Sequence, residues 1–173
     1  MRQSLTIHPD TPCDAVASIE AELVRPGPDR LALRYVVTGA IEALRLPEPT
    51  RPAPADDLWR RTCFEAFFRA PDDSYLELNL SPSTQWAAYA FSGYREPISG
   101  SWHGDPGIAV TTSDQRFELS AVIDLPAANG WICGLAAVIE EADGRLSYWA
   151  LAHPPGAPDF HHPDGFALVL PGA

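Results

Sequence analysis

The chain has 173 residues, 46% apolar and 20% charged, which is enough to bury one domain's core without disulfides or metals. Its 12 basic side chains, all arginine, stand against 23 acidic ones, giving a formal net charge of −11. A phosphate-binding surface needs a basic run and a membrane helix needs ~20 consecutive apolar residues; the sequence has neither, which argues against nucleic acid and a bilayer as partners.

In chain order, the first strand signal is Ala15–Arg25, where Ala17, Ile19, Ala21 and Leu23 alternate with Val16, Ser18, Glu20 and Glu22. The breaker Pro26-Gly-Pro-Asp29 separates it from Arg30–Val37, with Leu31, Leu33, Tyr35 and Val37 on one side. A proline-rich loop, Glu48–Asp57, follows. Strands are then predicted at Leu58–Arg69, Tyr75–Leu80, Trp86–Tyr94, Ile108–Thr112, Phe117–Ile123, Ile132–Glu140, Leu146–Ala152 and Ala167–Leu170. The prolines fall between these segments, as strands require, and Pro126–Gly130 has room for one helical turn. Many short strands with little helix predict an all-β antiparallel sandwich spanning residues 1–173 as a single domain.

The most informative pair is Leu58–Arg69 and Tyr75–Leu80, joined by a short Asp-Asp turn and therefore expected as a hairpin. Period two sends Phe64, Ala66, Phe68, Leu76, Leu78 and Leu80 to the core. Each large side chain contributes roughly 1.5–3 kcal/mol when buried, so a one-residue slip is strongly opposed. The other face collects Trp59, Arg61, Cys63, Glu65, Tyr75, Glu77 and Asn79, and Trp86 follows directly. Rings and planar polar groups sharing one surface suit a sugar, whose apolar ring face stacks while its hydroxyls are bound in pairs. The same pattern also fits a solvated sheet with a cross-strand Arg–Glu pair.

The segment from Asp57 to Arg95, DLWRRTCFEAFFRAPDDSYLELNLSPSTQWAAYAFSGYR, resembles the core of DOMON-like ligand-binding domains, which are related to the family-nine carbohydrate-binding modules. The stretch YWALAHPPGAPDFHHPDGFAL, Tyr148–Leu168, resembles the ending of one bacterial subgroup of them. The resemblance implies a sandwich with jelly-roll character and a concave ligand surface. It also implies that Trp59 and Glu65, six residues apart, help form a sugar site. Asn79 and Trp86 are looser matches, and Trp149 is the approximate counterpart of a second stacking tryptophan. Tyr75, Trp86 and Tyr94 are candidates for the rim. Other members bind haem through a methionine and a histidine; Met1 is the only methionine here. Nothing in the spacing of His8, His103, His153, His161 and His162 promotes bis-histidine ligation, so no cofactor is expected.

His153–Gly165 holds three histidines among four prolines, which forbid a helix that could align imidazoles for a metal. A stiffened loop is expected, with the alternative that it folds over the sheet rim and brings His153 to the site. The expected function is non-catalytic binding of a sugar or other small neutral polar ligand; the alternatives are a glycoside-acting enzyme using Glu65 and Glu77, and an interaction module that homodimerises through its aromatic patch or an edge strand. In the enzyme, one carboxyl must be held protonated, and Arg61 beside Glu65 is expected to oppose that. The start of the chain has no apolar signal region, and Cys13, Cys63 and Cys133 are odd in number and far apart, which predicts reduced thiols and a cytoplasmic location.

Overall fold

The computed structural model describes residues 1–99, 104–125 and 130–170. His103 and most of the Pro126–Gly130 turn lie outside the described residues. The described chain is all-β and antiparallel throughout its named strands. β2 (Val16–Gly27), β3 (Arg30–Gly39), β9 (Arg116–Asp124) and β8 (Ala109–Ser113) pair in that order to make one layer. The second layer runs β7 (Glu96–Ile98), β6 (Trp86–Gly93), β5 (Tyr75–Leu80), β4 (Cys63–Arg69), β10 (Ile132–Glu140) and β11 (Leu146–Ala150). β1 (Arg2–Ile7) belongs to both: Arg2–Leu5 pair with β2, whereas Thr6 and Ile7 pair with β11.

The layers pack face to face because their alternation puts every large apolar side chain of one phase between them. Phe64 of β4 stacks on Phe117 of β9, with centroids 5.5 Å apart and planes 9° from parallel. Tyr35 of β3 is fully buried and its hydroxyl donates to the Glu65 carbonyl at 2.7 Å, a polar tie across the core. The β4–β5 register sets Phe64 opposite Leu80, Ala66 opposite Leu78 and Phe68 opposite Leu76, so the predicted dry side of the hairpin packs between the layers; the opposite side, with Glu65, Phe67, Tyr75, Glu77 and Asn79, is buried as well.

At its start, β2 departs from simple alternation. The register shifts between Val16 and Ser18, and this bulge lets Val16 share the buried side with Ile19, Ala21 and Leu23. Opposite it, Gly39 sits at φ 145°, and a Cβ there would collide with the Ala15 carbonyl oxygen.

Several boundaries differ from expectation. The strand predicted at Leu58–Arg69 begins only at Cys63, because Asp57 turns left-handed (φ 59°) and starts a short 3-10 helix over Leu58–Arg60. The segment predicted as Ala167–Leu170 reduces to β12 (Leu168–Val169), which pairs with β10 beyond the reach of β11. β1 and β7 escaped prediction, β1 because RQSLTI is mostly polar and β7 because it is three residues long with a central proline.

Candidate functional site

Between β11 and β12 the chain leaves the sheet, crosses the outer face of the second layer and returns. Small residues make room for it: Gly134 and Ala136 of β10 face this crossing, and a Cβ on Gly134 would lie 3.2 Å from the Gly165 carbonyl oxygen. Phe166 and Phe160 pack there beside Phe67, Tyr75 and Phe91. The crossing segment is anchored at one end by two histidines. His8 Nε2 bonds the Gly156 carbonyl at 2.9 Å and His153 Nε2 the Thr6 carbonyl at 2.8 Å, with the two rings edge to face at 5.0 Å. Further along, Asp159 accepts from Arg95 Nη2 at 2.8 Å and from the Tyr94 hydroxyl at 2.6 Å.

Where the segment does not lie flat on the sheet it leaves a cavity of about 580 Å³, within the range of small-molecule sites. Its floor is the outer face of the strands: Glu65, Glu77, Tyr89, Phe91, Val138 and Tyr148. Trp59 forms one wall, projected from the 3-10 helix and 45% exposed. Arg95 and Pro97 from the β6–β7 hairpin form another, and Phe160 and His161 of the crossing segment close it.

The two carboxyls of the floor are unusual in being almost completely buried, Glu65 at 4% exposure and Glu77 at 6%. Burial pushes the Glu65 carboxyl well above the ordinary carboxylate range, and the neighbouring Glu77 adds to this. Burial also raises Glu77, offset in part by a hydrogen bond from Asn79 Nδ2 to Oε1 at 2.9 Å and by the Arg95 charge. His161 goes the other way: burial and the Arg95 charge lower it to about 4, leaving a neutral imidazole at physiological pH. Its tautomer follows from its partners. The Tyr75 hydroxyl accepts from the Arg95 backbone N–H at 3.1 Å, so its own proton goes to His161 Nδ1 at 2.9 Å. The remaining ring proton is then on Nε2, which lies 3.6 Å from Glu77 Oε2, too far for a hydrogen bond. For Asp159, burial acts upward, but the bonds from Tyr94 and Arg95 outweigh it and hold the carboxyl low.

Of the residues singled out in the sequence, Trp59, Glu65 and Glu77 line the cavity. Asn79 lies on the same face but is wholly covered, bonded to Glu77. Tyr75 is likewise covered, stacked on Phe91 at 4.6 Å, and acts through His161. Tyr94 stands outside, holding Asp159. Arg61 does not approach Glu65: it precedes β4 and pairs with Glu140 at 3.4 Å, so it gives Glu65 no counter-charge. Trp86 and Trp149 point between the layers. Trp86 faces Leu80, and Trp149 faces Ala137 with its indole N–H donated to Ser147 Oγ at 3.0 Å. The crossing segment does cover the sheet, yet it contributes His161 and Phe160 in place of His153.

Tyr89, Phe91, Arg95, Tyr148, Phe160 and His161 were missed. Tyr89 and Phe91 pair directly with Glu77 and Tyr75, so extending the hairpin's alternation through the next strand finds them. Among the described residues no group of three or more His, Cys, Asp and Glu side chains is placed to hold a metal ion, and the three cysteines are free. No helix among them is long and apolar enough to cross a membrane.

The architecture is a two-layer antiparallel sandwich with a covered cavity on one outer face. No protein-family model and no curated protein matches the chain. Solved structures do match in fold. A candidate carbohydrate-binding protein from Bacteroides uniformis aligns over 96% of this chain and 84% of its own, with TM-score 0.66 and 15% identity. A family-nine carbohydrate-binding module from Caldicellulosiruptor kristjanssonii, in complex with cellotriose, aligns over 90% of this chain and 74% of its own, with TM-score 0.53 and 13% identity.

Proposed function

We propose that this chain is a single-domain, DOMON-like ligand-binding module that takes a sugar-like small molecule into the cavity on the outer face of β4, β5 and β6 without transforming it. The observation that carries this reading is the composition of the cavity, which sets Trp59, Tyr89, Tyr148 and Phe160 around the paired carboxyls of Glu65 and Glu77. Rings supply stacking surface for the apolar side of a sugar, and each carboxyl offers two oxygens to its hydroxyls. The shared fold with a family-nine module seen with cellotriose supports the same class of ligand. Trp59, being half exposed at the wall, is the natural reporter. Titrating intrinsic fluorescence with a panel of mono- and oligosaccharides is expected to give a saturable change that Trp59→Ala abolishes. A flat response across the panel would count against the reading.

A second reading has one specific observation in its favour. Glu65, buried beside Glu77 and without an arginine, has its carboxyl pushed well above the ordinary range, the direction a general acid requires. Turnover of chromogenic glycosides, lost in Glu65→Gln, would replace binding by hydrolysis.

A further inference from the structure

The cavity floor is rich in hydrogen-bond acceptors and poor in donors. Glu65 turns a buried carboxyl toward the cavity, and no described residue hydrogen-bonds to that carboxyl. Opposite it in the register is Asn79, which donates one of its two amide N–H groups to Glu77 while its own buried Oδ1 receives no donor. Charge is as lopsided as hydrogen bonding. Two carboxyls, Glu65 and Glu77, line the space, and among the described lining residues the one guanidinium, Arg95, is tied to Asp159, which does not line it. His161 adds no charge, since its Nδ1 accepts from Tyr75.

A neutral sugar answers this arrangement incompletely. A hydroxyl can donate to one carboxyl oxygen but brings no charge, and a carboxylate closed off from water without a counter-charge is costly. An ammonium group brings three donors and one positive charge, and the faces of Trp59, Tyr89 and Tyr148 attract cations.

Resting on the sugar-like reading above and narrowing it, we propose that the natural ligand carries a protonated amine, which seats against Glu65 and Glu77 with the aromatic side chains around it. The class is an amino sugar or a similar polyhydroxylated organic cation. Binding is then coupled to protons: the cation draws the two carboxyls back toward their ordinary range, and any proton they hold is released on binding.

The test is calorimetry with two matched pairs that differ only in amine against hydroxyl: D-glucosamine with D-glucose, and the glucosamine trisaccharide with cellotriose. Each titration is run at pH 7 and pH 5 in two buffers of different ionisation enthalpy. The expected result is at least about tenfold tighter binding of the amine at pH 7, a smaller advantage at pH 5, and proton release. Glu65→Gln is expected to bring the two members of a pair within about threefold. If that variant fails to fold, Glu77→Gln and the wild-type proton count serve in its place. Equal or tighter binding of the neutral sugars, lost in Trp59→Ala, overturns the amine and leaves the sugar reading intact. Absence of binding by all four probes overturns both.

Discussion

His161 Nε2 lies 3.6 Å from Glu77 Oε2 while its Nδ1 accepts the Tyr75 proton at 2.9 Å, so one neutral imidazole bonds the crossing segment to the sheet through Tyr75 and faces the buried acid of the floor without bonding it. The ring is also wedged edge-on against Phe67 and Phe91. Protonation would turn the Nδ1 acceptor into a donor facing the hydroxyl proton that Tyr75 now gives it.

Stability should therefore depend on pH through His161. Its folded value, about 4, lies below the ordinary 6.5, so the unfolded chain takes up the proton first. The contribution is complete above about 6.5 and disappears as pH falls toward 4. Glu65 and Glu77 shift in the opposite sense, so the imidazole's part is read as a difference. Thermal midpoints between pH 7 and 4.5 should fall less for His161→Phe than for the wild type; parallel curves would contradict it.

Glu65→Gln is expected to stabilise the protein at neutral pH. A carboxyl whose folded value is raised favours folding below its ordinary value, near 4.5, and loses that contribution as pH climbs through the folded one. The amide has no charge to bury, so its advantage should grow from pH 5 to pH 8. In a chain of this size each kcal/mol corresponds to about 2–4 °C of melting temperature. A gain largest at acid pH would show the carboxyl to be compensated in the native state.

Tyr35→Phe removes the hydroxyl that reaches across the core to the Glu65 carbonyl. The expected cost is about 0.5–1.5 kcal/mol, measured by urea unfolding with an unchanged m-value. The same change should weaken binding, since that bond fixes the backbone from which Glu65 projects.

Asp159→Asn should loosen the crossing segment without disturbing the sheet. The substitution weakens the bonds from Arg95 and Tyr94 that hold the segment over the cavity. Hydrogen exchange is expected to accelerate at Phe160–His162 and to stay slow in β4 and β10. Uniform acceleration would mean that Asp159 supports the whole fold.

Much of this was legible in the residues. Phe64, Phe68, Leu78 and Leu80 alternate so strictly that only one register of β4 and β5 buries them all, and Glu65, Glu77 and Asn79 follow onto the other side. Trp86 and Trp149 show where that reasoning weakens. β6 reads WAAYAFSG, with aromatic and small residues on both sides, and its phase is set only by pairing with Leu80 across the Ser81–Gln85 turn. In β11, Tyr148 and Trp149 are adjacent rings of opposite phase, and the larger one belongs to the core. Arg61 was placed by extending β4 backward through what is a 3-10 helix, and the left-handed Asp57 that causes it has no sequence signature stronger than its residue type. The covered cavity depends on long-range packing of Phe160, His161 and Phe166, which no local period records.

The division of β1 between the layers has a kinetic consequence. Its second half is held to β11 by pairings such as Thr6 with Ala150, and the Thr6 hydroxyl donates to the Ala150 carbonyl across a separation of 144 residues. Closing so long a loop is entropically expensive and comes late. Refolding should thus be slow and end with this seam zipping shut, the amides of Thr6 and Ile7 gaining exchange protection after those of β4 and β5.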